Sequence, residues 1–256
     1  MKAHFFWSGP MSWLRFQTLN TFRHYNPDVE MIVHTASARQ LRAVDKDYWP
    51  FVADLDVTLV THSGDPDVHP ASVCDLIRWN TMAWDSGVFC DMDIVFANPL
   101  SLHADLFTRD ALMVDDGFFY IGLMHSCGDS DLFREAYETA RRLYLPDGYQ
   151  SCGVDALYVM AYGDAIRASG HVDWGQAQSQ DSLSKLPYGV GCIPKRLLHY
   201  YPECDMLRPL GGPPTEIIGL HWSGGGCDYE SVVTEENYSH LQGPLIIALK
   251  DVLGGD

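Results

Sequence analysis

The chain has 256 residues, 46% hydrophobic and 12% aromatic, enough to bury a sizeable core and too apolar for a disordered protein. Asp and Glu outnumber Lys and Arg 34 to 17, a formal net charge of −17, which argues against nucleic acid or an anionic membrane as the main partner. An acidic chain that binds a phosphorylated ligand needs a cation or a local basic patch to offset repulsion.

Seven scattered cysteines contain no CxxC pair, which argues against a zinc knuckle or a redox motif. The odd count, the lack of a signal-like leader and the lack of a long apolar run give the expectation of a soluble, reducing, cytoplasmic setting with no transmembrane segment.

In chain order, residues 3–7 (Ala-His-Phe-Phe-Trp) read as a short strand closed by Ser8-Gly9-Pro10. A helix is predicted over 12–24, a turn at Asn26-Pro27-Asp28, a strand over 30–34, a short helix over 37–44 and a strand over 57–60. This alternation predicts parallel strands with helices on both faces, an α/β fold. The next helix carries Val73, Leu76, Ile77, Asn80, Ala83 and Trp84 at helical spacing, with Gly87 as its stop. Asp75 and Arg78 lie three apart on one face of it. Residues 88–90 read as the central strand.

The second half is less regular. Strands are predicted over 111–114 and 118–124 around Asp115-Asp116-Gly117, helices over 130–144 and 154–161, and short strands and turns from 190 to 220. His221-Trp222-Ser223 and a glycine run over 224–226 follow, and a last helix or tail over about 243–253.

Asp91 stands at the end of the central strand and Asp93 two positions on. Ligands of open α/β sheets bind beyond the carboxyl ends of strands. Where the chain leaves the sheet, two such carboxylates can converge on one hard divalent ion that also holds phosphate.

Asp75-x-x-Arg78 followed by Ser86-Gly87-x-Phe89-x-Asp91-x-Asp93 resembles the signature of DXD glycosyltransferases of the GT-A type. The group it is most similar to is the yeast mannosyltransferase-like, capsular-polysaccharide and clostridial-toxin-like sugar transferases (family 32-like). His4-Phe5-Phe6-Trp7-x-Gly9 and Asn26-Pro27-Asp28 are similar to the family's first strand and following turn, and the likeness is specific over about residues 4–100. Cys74, Ser86 and Phe89 depart from the family's Ser, Gly and Tyr.

The resemblance implies a single GT-A domain over 1–256, a Rossmann-like mixed sheet flanked by helices. Residues 1–100 would form the nucleotide-sugar half and 101–256 the acceptor side. It further implies a nucleotide-sugar donor (UDP first, GDP second), bound Mn²⁺ or Mg²⁺, a saccharide or other hydroxyl acceptor, and retention of configuration. Asp91 and Asp93 would hold the metal on the donor diphosphate, with Asp91 also touching the donor and His221 completing the shell. Asp75 and Arg78 would grip donor-sugar hydroxyls, and Trp7 would stack on the base. Trp7 reads equally as a core residue. Asp155 falls where such enzymes place an acceptor-side carboxylate, and reads equally as a helix N-terminal Asp favoured by the dipole. Asp115 and Asp116 would border the acceptor cleft. A phosphate-binding Lys found after the late His in some relatives is missing, leaving Lys195, Arg196 and Arg208 as substitutes that nothing distinguishes.

Two other readings stay open. Asp91-Met92-Asp93-Ile94-Val95 fits the nucleophile motif of haloacid-dehalogenase-type phosphatases, although no Lys occurs between Lys46 and Lys185. A non-catalytic nucleotide-sugar-binding module would share the same fold.

Overall fold

Alternating strand residues of this chain are apolar on both sides, so its sheet has to be covered on both faces. The computed structural model describes residues 1–41, 43–115, 118–145, 152–168, 171–172, 183–198, 205–208, 213, 215–222 and 228–254. The first half runs β1 (Lys2–Phe6), α1 (Trp13–Tyr25), β2 (Glu30–Ala36), α2 (Trp49–Val52), β3 (Val57–His62), α3 (Pro70–Trp84), β4 (Ser86–Cys90) and β5 (Ile94–Phe96). The second half adds β6 (Ala111–Asp115), β7 (Phe118–Cys127), α4 (Asp131–Leu143), α5 (Val154–Tyr162), β8 (Arg167–Ala168), β9 (His171–Val172), β10 (Gly191–Pro194), β11 (Gly219–His221), α6 (Tyr229–Val232) and α7 (Pro244–Leu253). No helix among the described residues is long and apolar enough to cross a membrane.

The expected α/β sheet is present. Seven strands run in the order β10-β6-β7-β4-β1-β2-β3. The β4-β1-β2-β3 side is parallel, and β7 is antiparallel to both β4 and β6. Successive residues serve opposite cores. Phe5 and Val88 join α1 and α7 on one face, while Phe6 and Phe89 join α3, α4 and α5 on the other.

Three expectations are corrected. The described residues within 37–44 form no helix. The Arg39 amide bonds instead to Val68 O at 2.8 Å, and any Cβ on Gly64 would collide with the Ser37 backbone, so long-range pairing overrides local propensity there. Gly87 does not stop α3, which ends at Trp84 with Asp85 as its cap. Gly87 lies inside β4 at φ +137°, where a side chain would collide with the Lys2 carbonyl of β1. The apolar stripe expected of α3 is rotated. Asp75, Arg78, Trp79 and Met82 are buried, whereas Trp84 is 62% exposed. Asp116 and the glycine run over 224–226 lie outside the described residues.

Three histidines cross the parallel edge of the sheet. His4 Nδ1 lies 3.0 Å from His34 Nε2, and His34 Nδ1 lies 2.8 Å from His62 Nε2. The Asp85 carboxylate, 3.7 Å from His4 Nε2, favours a proton on that nitrogen. His34 Nε2–H then donates to His4 Nδ1, and His62 Nε2–H donates to His34 Nδ1, an arrangement that needs His4 and His34 neutral. Burial pushes His4 down to about 4 and His34 down to about 3, and the neighbouring imidazoles push His34 the same way. Groups held neutral in the fold but protonated in the unfolded chain contribute stability that is complete above about pH 6.5 and is lost as pH falls toward 4. The urea midpoint is therefore expected to drop steadily between pH 6.5 and 4, with a shallower slope in His34→Asn. Equal slopes in the two proteins would contradict this account.

Candidate active site

β1 and β4 are neighbours in parallel register, so the residues just beyond their carboxyl ends emerge side by side. Trp7 follows β1 and Asp91 follows β4. Helix α1 starts a few residues after Trp7 and turns its first residues back toward the same edge, capped by the Ser12 hydroxyl accepting from the Arg15 amide at 3.2 Å. A cavity of about 780 Å³ opens there. Its walls include Trp7, Arg15, Asp75, Arg78, Asp91, Asp93 and Glu230.

The metal-binding candidates converge. Asp91, Asp93 and His221 each offer a ligand atom, and these atoms all lie within 4.8 Å of one another. His221 is brought in by β11, which pairs antiparallel with β5 so that His221 stands opposite Ile94. Its Nε2 lies 2.9 Å from Asp93 Oδ1, and the Trp222 amide donates to Asp93 O at 2.9 Å. Burial pulls the His221 imidazole down, but Asp93 and Asp91 outweigh it and the net shift is upward. Burial pushes the Asp91 carboxyl up, opposed by the Arg78 guanidinium. Two carboxylates and an imidazole make a donor set that can hold a divalent metal ion.

Arg78 is buried. Its Nη1 donates to Ile121 O at 2.7 Å and its Nη2 bonds the Asp91 carboxylate. Cys74 Sγ accepts from Nη2 at 3.4 Å. The ring of Phe89 lies 5.1 Å beneath the guanidinium. Asp75 stands 3.9 Å from Nη1. Burial pushes the Asp75 carboxyl up to about 7, with Arg78 pulling it down and Asp91 and Asp155 adding to the rise.

Asp155 is also buried, in the first turn of α5, close enough to Asp75 to raise its carboxyl but not on the cavity wall. Trp7 is partly buried, and its Nε1–H donates to Pro10 O at 3.0 Å. Lys195 lies over the Tyr120 ring and donates to its hydroxyl at 2.8 Å. Lys195, Arg196 and Arg208 are all absent from the cavity wall.

Sequence reasoning missed Arg15 and Glu230. Arg15 Nε and Nη2 donate to the two Glu230 oxygens at 3.1 and 3.2 Å, and Nη1 stands 3.6 Å from Asp93 Oδ2. The guanidinium carbon lies 4.8 Å from the Trp7 ring centre and 4.5 Å from that of Trp222. A usable signal existed for Arg15, as a basic residue in the first turn of the helix after β1. None existed for Glu230, which is 215 residues away in sequence.

No family model matches the chain, and no curated protein matches it. Among solved structures, the chain is similar to the PaToxG glycosyltransferase, with 12% identity, 73% of this chain and 78% of that one covered, and a TM-score of 0.44. It is similar to an active-site mutant of LgtC at 13% identity, with 93% and 99% covered and a TM-score of 0.45. It is also similar to the apo form of the glycosyltransferase GlyE from Streptococcus pneumoniae TIGR4, at 12% identity, with 95% and 65% covered and a TM-score of 0.42.

Proposed function

We propose that the chain is a metal-dependent glycosyltransferase of the GT-A type. It takes a nucleotide sugar, with UDP before GDP, and passes the sugar to a saccharide or other hydroxyl acceptor with retention. The observation that carries this reading is the meeting of Asp75 and Arg78 from α3 with Asp91 and Asp93, just after β4, on the wall of one cavity. His221 of β11 joins Asp91 and Asp93 as a third candidate ligand. A cation held by these three would supply Lewis-acid neutralisation of a diphosphate leaving group.

The chain's own groups fit the rest of such a donor. Arg78 places a fixed positive charge beside Asp91. A carboxyl near 7, as at Asp75, is present in both protonation states at neutral pH and can accept from or donate to a sugar hydroxyl. Trp7 offers an aromatic surface for a base on the same wall. In this reading the leaving phosphate takes the acceptor proton, and Asp155 supports Asp75 from behind. The phosphatase alternative needs Asp91 as a free nucleophile, and its bond to Arg78 disfavours that.

Calorimetric titration of UDP and GDP sugars, with and without Mn²⁺, tests the proposal. Binding that requires the metal, followed by sugar release to a hydroxyl acceptor, is the expected result. No metal-dependent binding of any nucleotide sugar, or release of phosphate from p-nitrophenyl phosphate instead, would sink it.

A further inference from the structure

None of the three basic residues suggested by the sequence reaches the cavity wall. Arg15, Arg39 and Lys46 do reach it, and Arg15 is the one of these that pairs with Asp93 of the cation cluster. Arginine carries five N–H donors in a rigid fork. At Arg15, Nε and Nη2 are engaged by Glu230, so one edge of the fork is tied down. Glu230 is itself fixed by the Ser12 hydroxyl at 2.7 Å. The Nη1 edge is turned toward the Asp91, Asp93 and His221 cluster. Its nearest carboxylate there is Asp93 Oδ2 at 3.6 Å, too long for a hydrogen bond. The guanidinium carbon lies over the rings of both Trp7 and Trp222. A charged fork with one edge anchored and its other edge facing a cation site is pre-organised for an oxyanion.

We propose that Arg15 is a diphosphate-binding residue of the donor site, donating from Nη1 to a phosphate oxygen beside the cation, with Glu230 as its positioning residue. This rests on the donor-site reading above. Carboxylates outnumber basic side chains on the cavity wall, so a diphosphate there needs a cation and a basic group set beside it.

The test compares wild type, Arg15→Met, Arg15→Lys and Glu230→Gln. It uses UDP and GDP titrations in Mn²⁺, Mn²⁺ titration alone by electron paramagnetic resonance, and thermal unfolding. Arg15→Met keeps the stem that packs on the indoles and removes the fork. It is expected to weaken nucleoside diphosphate binding roughly 10- to 100-fold, while Mn²⁺ alone binds as well as in wild type or better. Arg15→Lys recovers little of the loss, because an ammonium cannot bond Glu230 through two atoms and still present an Nη1 edge. Glu230→Gln falls between the two. Wild-type affinity for the diphosphates in Arg15→Met would overturn the proposal. So would parallel losses of diphosphate binding, Mn²⁺ binding and melting temperature, which mark a scaffold residue. If the wild type itself binds neither UDP nor GDP in Mn²⁺, the donor-site reading fails and Arg15's role falls with it.

Discussion

Asp93→Ala is expected to lose Mn²⁺ affinity by at least about 100-fold, since even groups that only support metal ligands are worth about 10- to 100-fold. Metal-dependent capture of nucleoside diphosphates should vanish with it. The reason is positional. Asp93 is the member of the triad that touches both other parts of the site, with one oxygen on His221 and the other toward Arg15. Its loss also relieves the crowding of acids around Asp91, so folding stability at neutral pH should hold or rise slightly. That opposite movement of binding and stability marks a functional carboxylate rather than a structural one. Calorimetry with MnCl₂ and then UDP, beside a urea curve, reads both. Undiminished metal-dependent binding by Asp93→Ala would remove the basis for the proposed cation site.

Arg78→Met should have the largest effect on the fold. The guanidinium is buried and serves Ile121 O, Cys74 and Asp91, with Asp75 at 3.9 Å. Removing it leaves two carboxylates and a carbonyl without their cation in a low-dielectric setting, a loss on the order of 3–5 kcal/mol. Arg78→Lys should rescue little, because one ammonium cannot span Ile121 O and Asp91 together. Arg78→Met combined with Asp75→Asn should recover part of the loss, since it removes one of the stranded charges. Urea unfolding of the four proteins at pH 7.5 measures this. If the single variant is as stable as wild type, Arg78 serves the ligand and not the fold.

The sheet's parallel half was legible because its strands are short runs bounded by turns, two of which, β1 and β3, lead into helix-periodic stretches. The Asp75/Arg78 pair was legible because helical spacing fixes which residues share a face, whatever that face packs on. Which face was buried was not legible. Val73, Leu76 and Ile77 are only partly buried against the second core, while the face carrying Asp75, Arg78, Trp79 and Met82 is the fully buried one. The segment over 37–44 was misread because its backbone partner, Val68, is remote in the chain. The Arg15–Glu230 pair lay beyond reading, since it joins a helix near the start to one near the end, and no local pattern records such a meeting.

The two-strand ribbon of β5 and β11 has a wider meaning. It docks His221 on a residue 128 positions earlier. Half of the chain is thus a loop whose two ends meet at the proposed cation site. The metal would act as a clasp, and some of its binding free energy would go into holding that loop shut. Affinity for the ion and firmness of the C-terminal segment then become one quantity. A substitution far out in that segment can weaken the site without touching a single ligand.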